Sequence, residues 1–163
     1  MIDYETPDFI KRVQRSIPES ELYLPADPDC PWNYGLETET HVTVAACLDN
    51  DVDLTELKKF LSPLKSYKLM LADVSVFENE KFDVLKCSVR CDELVRTNKD
   101  ISDNFELHTE FKEYRPHITI AYMRKGYADK YARRVVNEPV FIHPLCFSFS
   151  RFCGDTPESV KFI

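Results

Sequence analysis

The sequence predicts an α+β fold built on antiparallel sheet, and three observations carry that prediction. Strand-type runs rich in Val, Ile, Thr and Tyr outnumber helical segments and come in adjacent pairs. Amphipathic helical segments interrupt them irregularly, in the order α-β-β-α-β-β-α-β-α-β-β, which is not the strict alternation of a parallel doubly wound sheet. A short strand reading His-x-Thr occurs once in each half, each copy followed by a helix and then more strand, so the chain has a weak two-lobed pseudo-repeat.

Taken in order, residues Thr6 to Ile17 read as a helix. Thr6 suits the N-cap, Pro7 the first helical position, and Phe9, Ile10, Val13 and Ile17 form one apolar stripe that Pro18 ends. Glu21 to Leu24 is a short strand candidate. Pro25 to Gly35 is a proline-rich irregular loop holding Trp32 and Tyr34, and Gly35 releases the chain into a strand from Leu36 to Leu48. Asp53 to Leu61 is a second helix, capped at Asp51 or Asp53, with Leu54, Leu57 and Leu61 inward and Pro63 as its stop. Tyr67–Leu71 and Val74–Phe77 alternate as strands, Glu78 to Lys81 is a polar turn, and Phe82 to Val89 returns as an antiparallel partner. Asp92 caps a helix to about Asn98, and the polar stretch 98–111 reads as loop with one helical turn. The second motif strand runs from Tyr114 to Met123 and Lys125-Gly126 breaks it. A helix over Asp129 to Val136 and two strands, Val140 to Cys153 and Ser159 to Ile163, complete the chain.

Bulk properties narrow the function classes. A chain of 163 residues fits one domain, and 44% hydrophobic with 30% charged residues is neither disordered nor membrane-embedded. No apolar run approaches the roughly 20 residues of a bilayer span. The acidic start Met1-Ile2-Asp3-Tyr4-Glu5 has no signal-peptide character, so a soluble cytoplasmic protein is expected. A net charge of −7 argues against a duplex nucleic acid as ligand, yet a short nucleotide needs only a local positive pocket. The six cysteines are scattered with no CxxC pair, so reduced thiols are expected, and neither a metal nor another cofactor is called for. Nothing in the sequence demands an obligate protein partner.

The chemistry concentrates in Glu39-Thr40-His41-Val42-Thr43-Val44 and Arg115-Pro116-His117-Ile118-Thr119-Ile120. With a side-chain period of two, His41 shares a face with Thr43, and His117 with Thr119, while the aliphatic residues point to the core. Two imidazoles can act as acid and base near neutral pH, and two hydroxyls can donate to an oxyanion. One such motif alone is more often a locally bonded strand histidine; two copies among four histidines point to a paired site. Secondary candidates are Trp32 and Tyr34, which can stack a base or plug the core, and Arg124 and Lys125, a positive patch or a solvated strand end. Tyr122 is a further substrate-binding candidate, although an odd number of residues from His117 turns it away on a regular strand, where core packing is the ordinary role. His108 and His143 read as structural.

These segments resemble the 2H phosphoesterase superfamily, defined by two His-x-Thr/Ser motifs, and within it the 2′-5′ RNA ligase-like group of phage and bacterial proteins. The resemblance rests on Gly35-Leu36-Glu37 before His41-Val42-Thr43-Val44, and on Glu113-Tyr114-Arg115-Pro116-His117-Ile118-Thr119-Ile120-Ala121-Tyr122 followed by Arg124-Lys125-Gly126. It covers residues 35–131 best, and Ala45-Ala46-Cys47 departs from the Leu-Tyr-Gly of many relatives. It implies one bilobal 2H domain over 1–163, with two antiparallel sheets forming a cleft in pseudo-two-fold symmetry and helices outside. It also implies metal-independent cleavage of a 2′,3′-cyclic phosphate, a 2′-5′ linkage or a cyclic oligonucleotide, with His41 and His117 sharing the roles of acid and base in either order and Thr43 and Thr119 on the phosphate. A phage role against host cyclic-nucleotide immune signals follows from the same resemblance. The alternative is a nucleotide- or RNA-end-binding module without turnover.

Overall fold

A computed structural model describes residues 1–25, 34–46, 52–64, 66–105, 113–132, 139–149 and 158–161. Among them the fold is α+β. Eight strands form one antiparallel sheet: β1 (Ile2–Asp3), β2 (His41–Val42), β3 (Leu69–Glu78), β4 (Phe82–Arg90), β5 (His117–Arg124), β6 (Phe141–Ile142), β7 (Cys146–Phe149) and β8 (Glu158–Lys161). Their order is β6-β3-β4-β5-β2-β1-β7-β8, so the two motif strands are neighbours at the centre of the sheet. The expected pair of sheets is here two four-strand halves of one hydrogen-bonded sheet. No helix among the described residues is long and apolar enough to cross a membrane.

Three helices accompany the sheet: α1 (Asp8–Arg15), α2 (Leu54–Leu61) and α3 (Asp92–Asn104). Ile10 and Val13 of α1, Leu57 and Leu61 of α2, and Leu94 and Ile101 of α3 join one core with Val42, Leu85, Cys87, Ile118 and Ile120 of the strands. Removing each of these aliphatic side chains from water contributes about 1.5–3 kcal/mol. Asp53 caps α2 as expected, its carboxylate accepting from the Thr55 amide at 2.7 Å. On α1 the cap differs: the helix starts at Asp8 with Pro7 before it, because the Thr6 hydroxyl is instead bonded to the Thr40 hydroxyl at 2.7 Å. Helix α3 runs about two turns past the expected end, since Thr97 and Ile101 continue the buried stripe begun at Leu94.

Other boundaries shift for identifiable reasons. The segment expected as a strand from Glu21 is a 3-10 turn, Glu19–Glu21, held by Lys130 and Tyr131 on the Glu21 carboxylate; only Leu22 bridges the sheet, to Met123. The first motif strand is paired only at His41–Val42, with an isolated bridge at Leu36. The chain from Leu36 to Val42 is longer than the β5 stretch it spans, Ala121 to Ile118, so it bows out around Thr38 and Glu39. Strand β3 is continuous, absorbing the expected break as a bulge between Leu71 and Val74. Residues 129–132 form turns where a helix was expected, and 133–136 lie outside the described residues. Pro144 falls in the gap between β6 and β7, dividing the strand expected from Val140; residues 150–153 are outside the described set. Strand β1 was not expected at all; it pairs with both β2 and β7.

One polar cluster secures the far end of β5. Asp83, 3% exposed, pairs with Lys125 at 3.1 Å and accepts the Gly126 amide at 2.6 Å. Gly126 has φ +80°, a conformation open to glycine at little cost. Lys125, expected as substrate-binding, is therefore spent on Asp83 and Glu78. Asp83→Ala is expected to lower unfolding free energy by about 1–3 kcal/mol, read as a lower urea midpoint with an unchanged slope. A midpoint equal to the wild type would show that this cluster does not hold the strand end.

Candidate active site

The site is built by register. Val42 pairs with Ile118, and continuing that antiparallel ladder sets His41 opposite Thr119 and Thr43 opposite His117. Each imidazole thus faces the other motif's hydroxyl across strands about 4.8 Å apart. Val42 and Ile118 are fully buried on the opposite face, while all four polar residues are half-buried on this one. The Tyr114 hydroxyl donates to the Thr43 carbonyl at 2.7 Å, tying the segment before the second motif to the first.

Both histidines are held the same way. His41 Nδ1 lies 2.9 Å from the Glu39 carbonyl, and His117 Nδ1 lies 2.9 Å from the Arg115 carbonyl. A carbonyl oxygen only accepts, so each Nδ1 carries the proton and each neutral ring keeps its lone pair on Nε2. Burial holds the His117 imidazolium below its ordinary range, opposed by the Arg115 carbonyl and reinforced by the charges of Lys86 and His41. His41 and His117 are therefore close enough for the charge on one to act on the other.

Strand β4 completes the face. Its residues alternate, with Phe82, Val84, Lys86 and Ser88 half-buried on the site side and Leu85, Cys87 and Val89 in the core. Lys86 pairs with Thr119, and Ser88 with His117. Lys86 has its charged form disfavoured first by burial and then by Arg115. On the other flank Asp3 stands opposite His41, its carboxylate accepting from Ser148 Oγ at 2.8 Å and facing Cys146 Sγ at 3.5 Å. Cys87, in the core, has its thiol pushed up to about 12 by burial and behaves as a small hydrophobe.

The orientation of Tyr122 departs from the expectation. Lys86 pairs with Thr119 but Val84 pairs with Tyr122, so β5 carries one extra residue between them. Ile120 and Ala121 are both buried, the parity of the strand flips, and Tyr122 emerges on the face of His117 and Thr119. There it meets Tyr34 edge-to-face at 5.2 Å and Phe82 at 5.7 Å, and Tyr23 joins both of those rings at 5.1 Å. The Gln14 amide of α1 donates to the carbonyls of Ile120 and Glu37, at 3.2 and 2.7 Å, so it holds the bulge. Gly35, at φ +95°, accepts the Tyr122 amide through its carbonyl at 2.7 Å; a Cβ there would lie 2.9 Å from Leu24 Cδ2.

The four motif residues are thus brought together, and Tyr34 and Tyr122 form one aromatic wall beside them. Trp32 lies outside the described residues, as does His108. Arg124 is exposed at the end of the site face, opposite Phe82, and Lys125 is withdrawn into its ion pair. His143 is exposed just beyond β6 rather than within a strand. Sequence reading missed Lys86, Ser88, Phe82, Tyr23 and Asp3; the even-numbered alternation of β4 was the signal available for three of them. Among the described residues, no three His, Cys, Asp or Glu side chains are grouped to hold a metal ion. Comparisons with family models, curated proteins and solved structures give no match to this chain.

Two outcomes are expected from this geometry. In an NMR titration His117 should protonate below the ordinary range near about pH 6.5, and Lys86→Met should move it upward, because a neighbouring positive charge no longer opposes the imidazolium. A downward move would place Lys86 elsewhere. Tyr114→Phe, which strips the donor from the Thr43 carbonyl, should cost about 1 kcal/mol of stability in thermal unfolding; no loss would mean the bond is replaced by water.

Proposed function

We propose that the chain is a metal-independent phosphodiesterase of the 2H type, with a two-lobed domain whose halves meet at the motif strands. One observation carries the reading: two Nδ1-anchored imidazoles and two threonine hydroxyls alternate across adjacent strands on one half-buried face. Anchoring at Nδ1 leaves both Nε2 atoms for proton transfer, which binding alone does not require.

The chemistry follows from those atoms. His117, whose neutral form is favoured, accepts the proton of the attacking oxygen as that oxygen bonds to phosphorus. His41, on the other side of the phosphorus, gives a proton from Nε2 to the oxygen whose bond to phosphorus breaks. Thr43 and Thr119 donate to the non-bridging oxygens as their charge rises. For a 2′,3′-cyclic phosphate the attacking oxygen is water; for a 2′-5′ or cyclic oligonucleotide it is water or the neighbouring ribose hydroxyl, and in the second case the histidines exchange roles in a following hydrolysis. The aromatic wall of Tyr34, Phe82 and Tyr122 supports a nucleotide as the substrate, since a base can stack on such rings. A cytoplasmic enzyme, the host cytoplasm in a viral setting, that destroys a cyclic oligonucleotide signal is the biological role this chemistry suits.

Incubation with cyclic di- and trinucleotides, 2′-5′ oligoadenylate and 2′,3′-cyclic nucleotides in EDTA is expected to give product from at least one. His41→Ala and His117→Ala should each lower turnover by about 10²–10⁴-fold. Activity that survives both substitutions together would refute the site, and a requirement for added metal would refute the mechanism. Tight nucleotide binding with no product from any substrate would leave the binding module in its place.

A further inference from the structure

We propose that Lys86 is a third substrate-contacting group, an ammonium that binds a non-bridging oxygen of the phosphate lying between the two histidines. The proposal rests on the phosphodiesterase reading and extends it to a residue outside both motifs.

Position is the first argument. Lys86 sits on β4 directly across from Thr119, with Ser75 of β3 on its other side, and Ser88 and Val84 flank it along the strand. Antiparallel partners project to the same face, so its stem rises beside the hydroxyl assigned to the phosphate. His117 pairs with Ser88, the next residue on the same face of β4, and Lys86's charge acts on it.

Environment is the second argument. Several cations on the molecule have anionic partners: Lys125 has Asp83 and Glu78, Lys130 has Glu21, Lys99 has Asp103, and Arg115 has Glu113. Lys86 is half-buried, and among the described residues no carboxylate forms an ion pair with it. After burial, the charge that weighs most against its ammonium is that of Arg115, weakly opposed by Cys87, and its own charge acts on His117. Partly burying an ammonium among like charges costs stability, and an anion on this face offsets that cost. A phosphodiester brings one negative charge and gains a second as the attacking oxygen adds. The threonine hydroxyls supply dipoles, and Lys86 supplies the full charge. Lysine suits the task, because its rotatable donors follow an oxygen that moves as phosphorus changes geometry.

The test uses Lys86→Met and Lys86→Arg with inorganic phosphate as the binding probe, read through the histidine NMR signals and by calorimetry. Phosphate should bind Lys86→Met at least tenfold more weakly than the wild type, and Lys86→Arg should recover part of the loss. On any substrate that the wild type cleaves, kcat/KM of Lys86→Met should fall about a hundredfold, mostly in kcat. The melting temperature of Lys86→Met should equal or exceed that of the wild type, since an unpaired, partly buried charge has gone. Phosphate affinity and turnover within threefold of the wild type would overturn the proposal. So would a lowered melting temperature of Lys86→Met with loss of the native histidine signals, which marks a structural lysine. Phosphate binding that depends on Lys86 in a protein that cleaves nothing would keep the anion site and remove the phosphodiesterase reading.

Discussion

The pairing of Val42 with Ile118 is the constraint on which the rest of the molecule depends. It joins one half of the sheet, β6-β3-β4-β5, to the other, β2-β1-β7-β8. Both side chains are fully buried, so the register is fixed by the core and not by the polar residues. A slip of one residue would turn His41 and Thr43 into the core and Val42 out to water. Burying those polar groups without partners would cost about 1–3 kcal/mol each, on top of the aliphatic burial lost. The hydrophobic contact on one face thereby selects the geometry of the other.

Charge is managed locally in a protein that is acidic overall. Surface ion pairs such as Arg115 with Glu113 lie in high dielectric and contribute little to stability. On the site face itself Lys86 is partly shielded from water, where a charge acts more strongly than it does in the exposed pairs. An excess of acidic residues elsewhere is compatible with an anionic small ligand and discourages long polyanions.

Much of this was legible in the sequence, and the misses share a cause. Strand type, the polar turn before β4, the α2 cap at Asp53 and the motif residues all follow from period and local chemistry. Tyr122 was misplaced because alternation assumes a regular strand; a bulge adds one residue with no residue type that announces it. The expected strand at Glu21 failed because the partners that hold it, Lys130 and Tyr131, stand more than a hundred positions away. Lys86 belongs to no motif, and its position beside Thr119 exists only once β4 and β5 are paired. The full length of α3 was there to be read in the spacing of Leu94, Thr97 and Ile101, and the polar residues between them obscured it.

The two Nδ1 bonds have one more consequence. Each acceptor carbonyl belongs to the residue two places before its histidine, so a ring takes its aim from a tripeptide of its own chain. The gap between the rings has a different origin, in how two strands from opposite halves lie against each other. Aim and gap are therefore independent variables. Drift in loops, helices or strand curvature can widen or narrow the jaw while both teeth keep their bite.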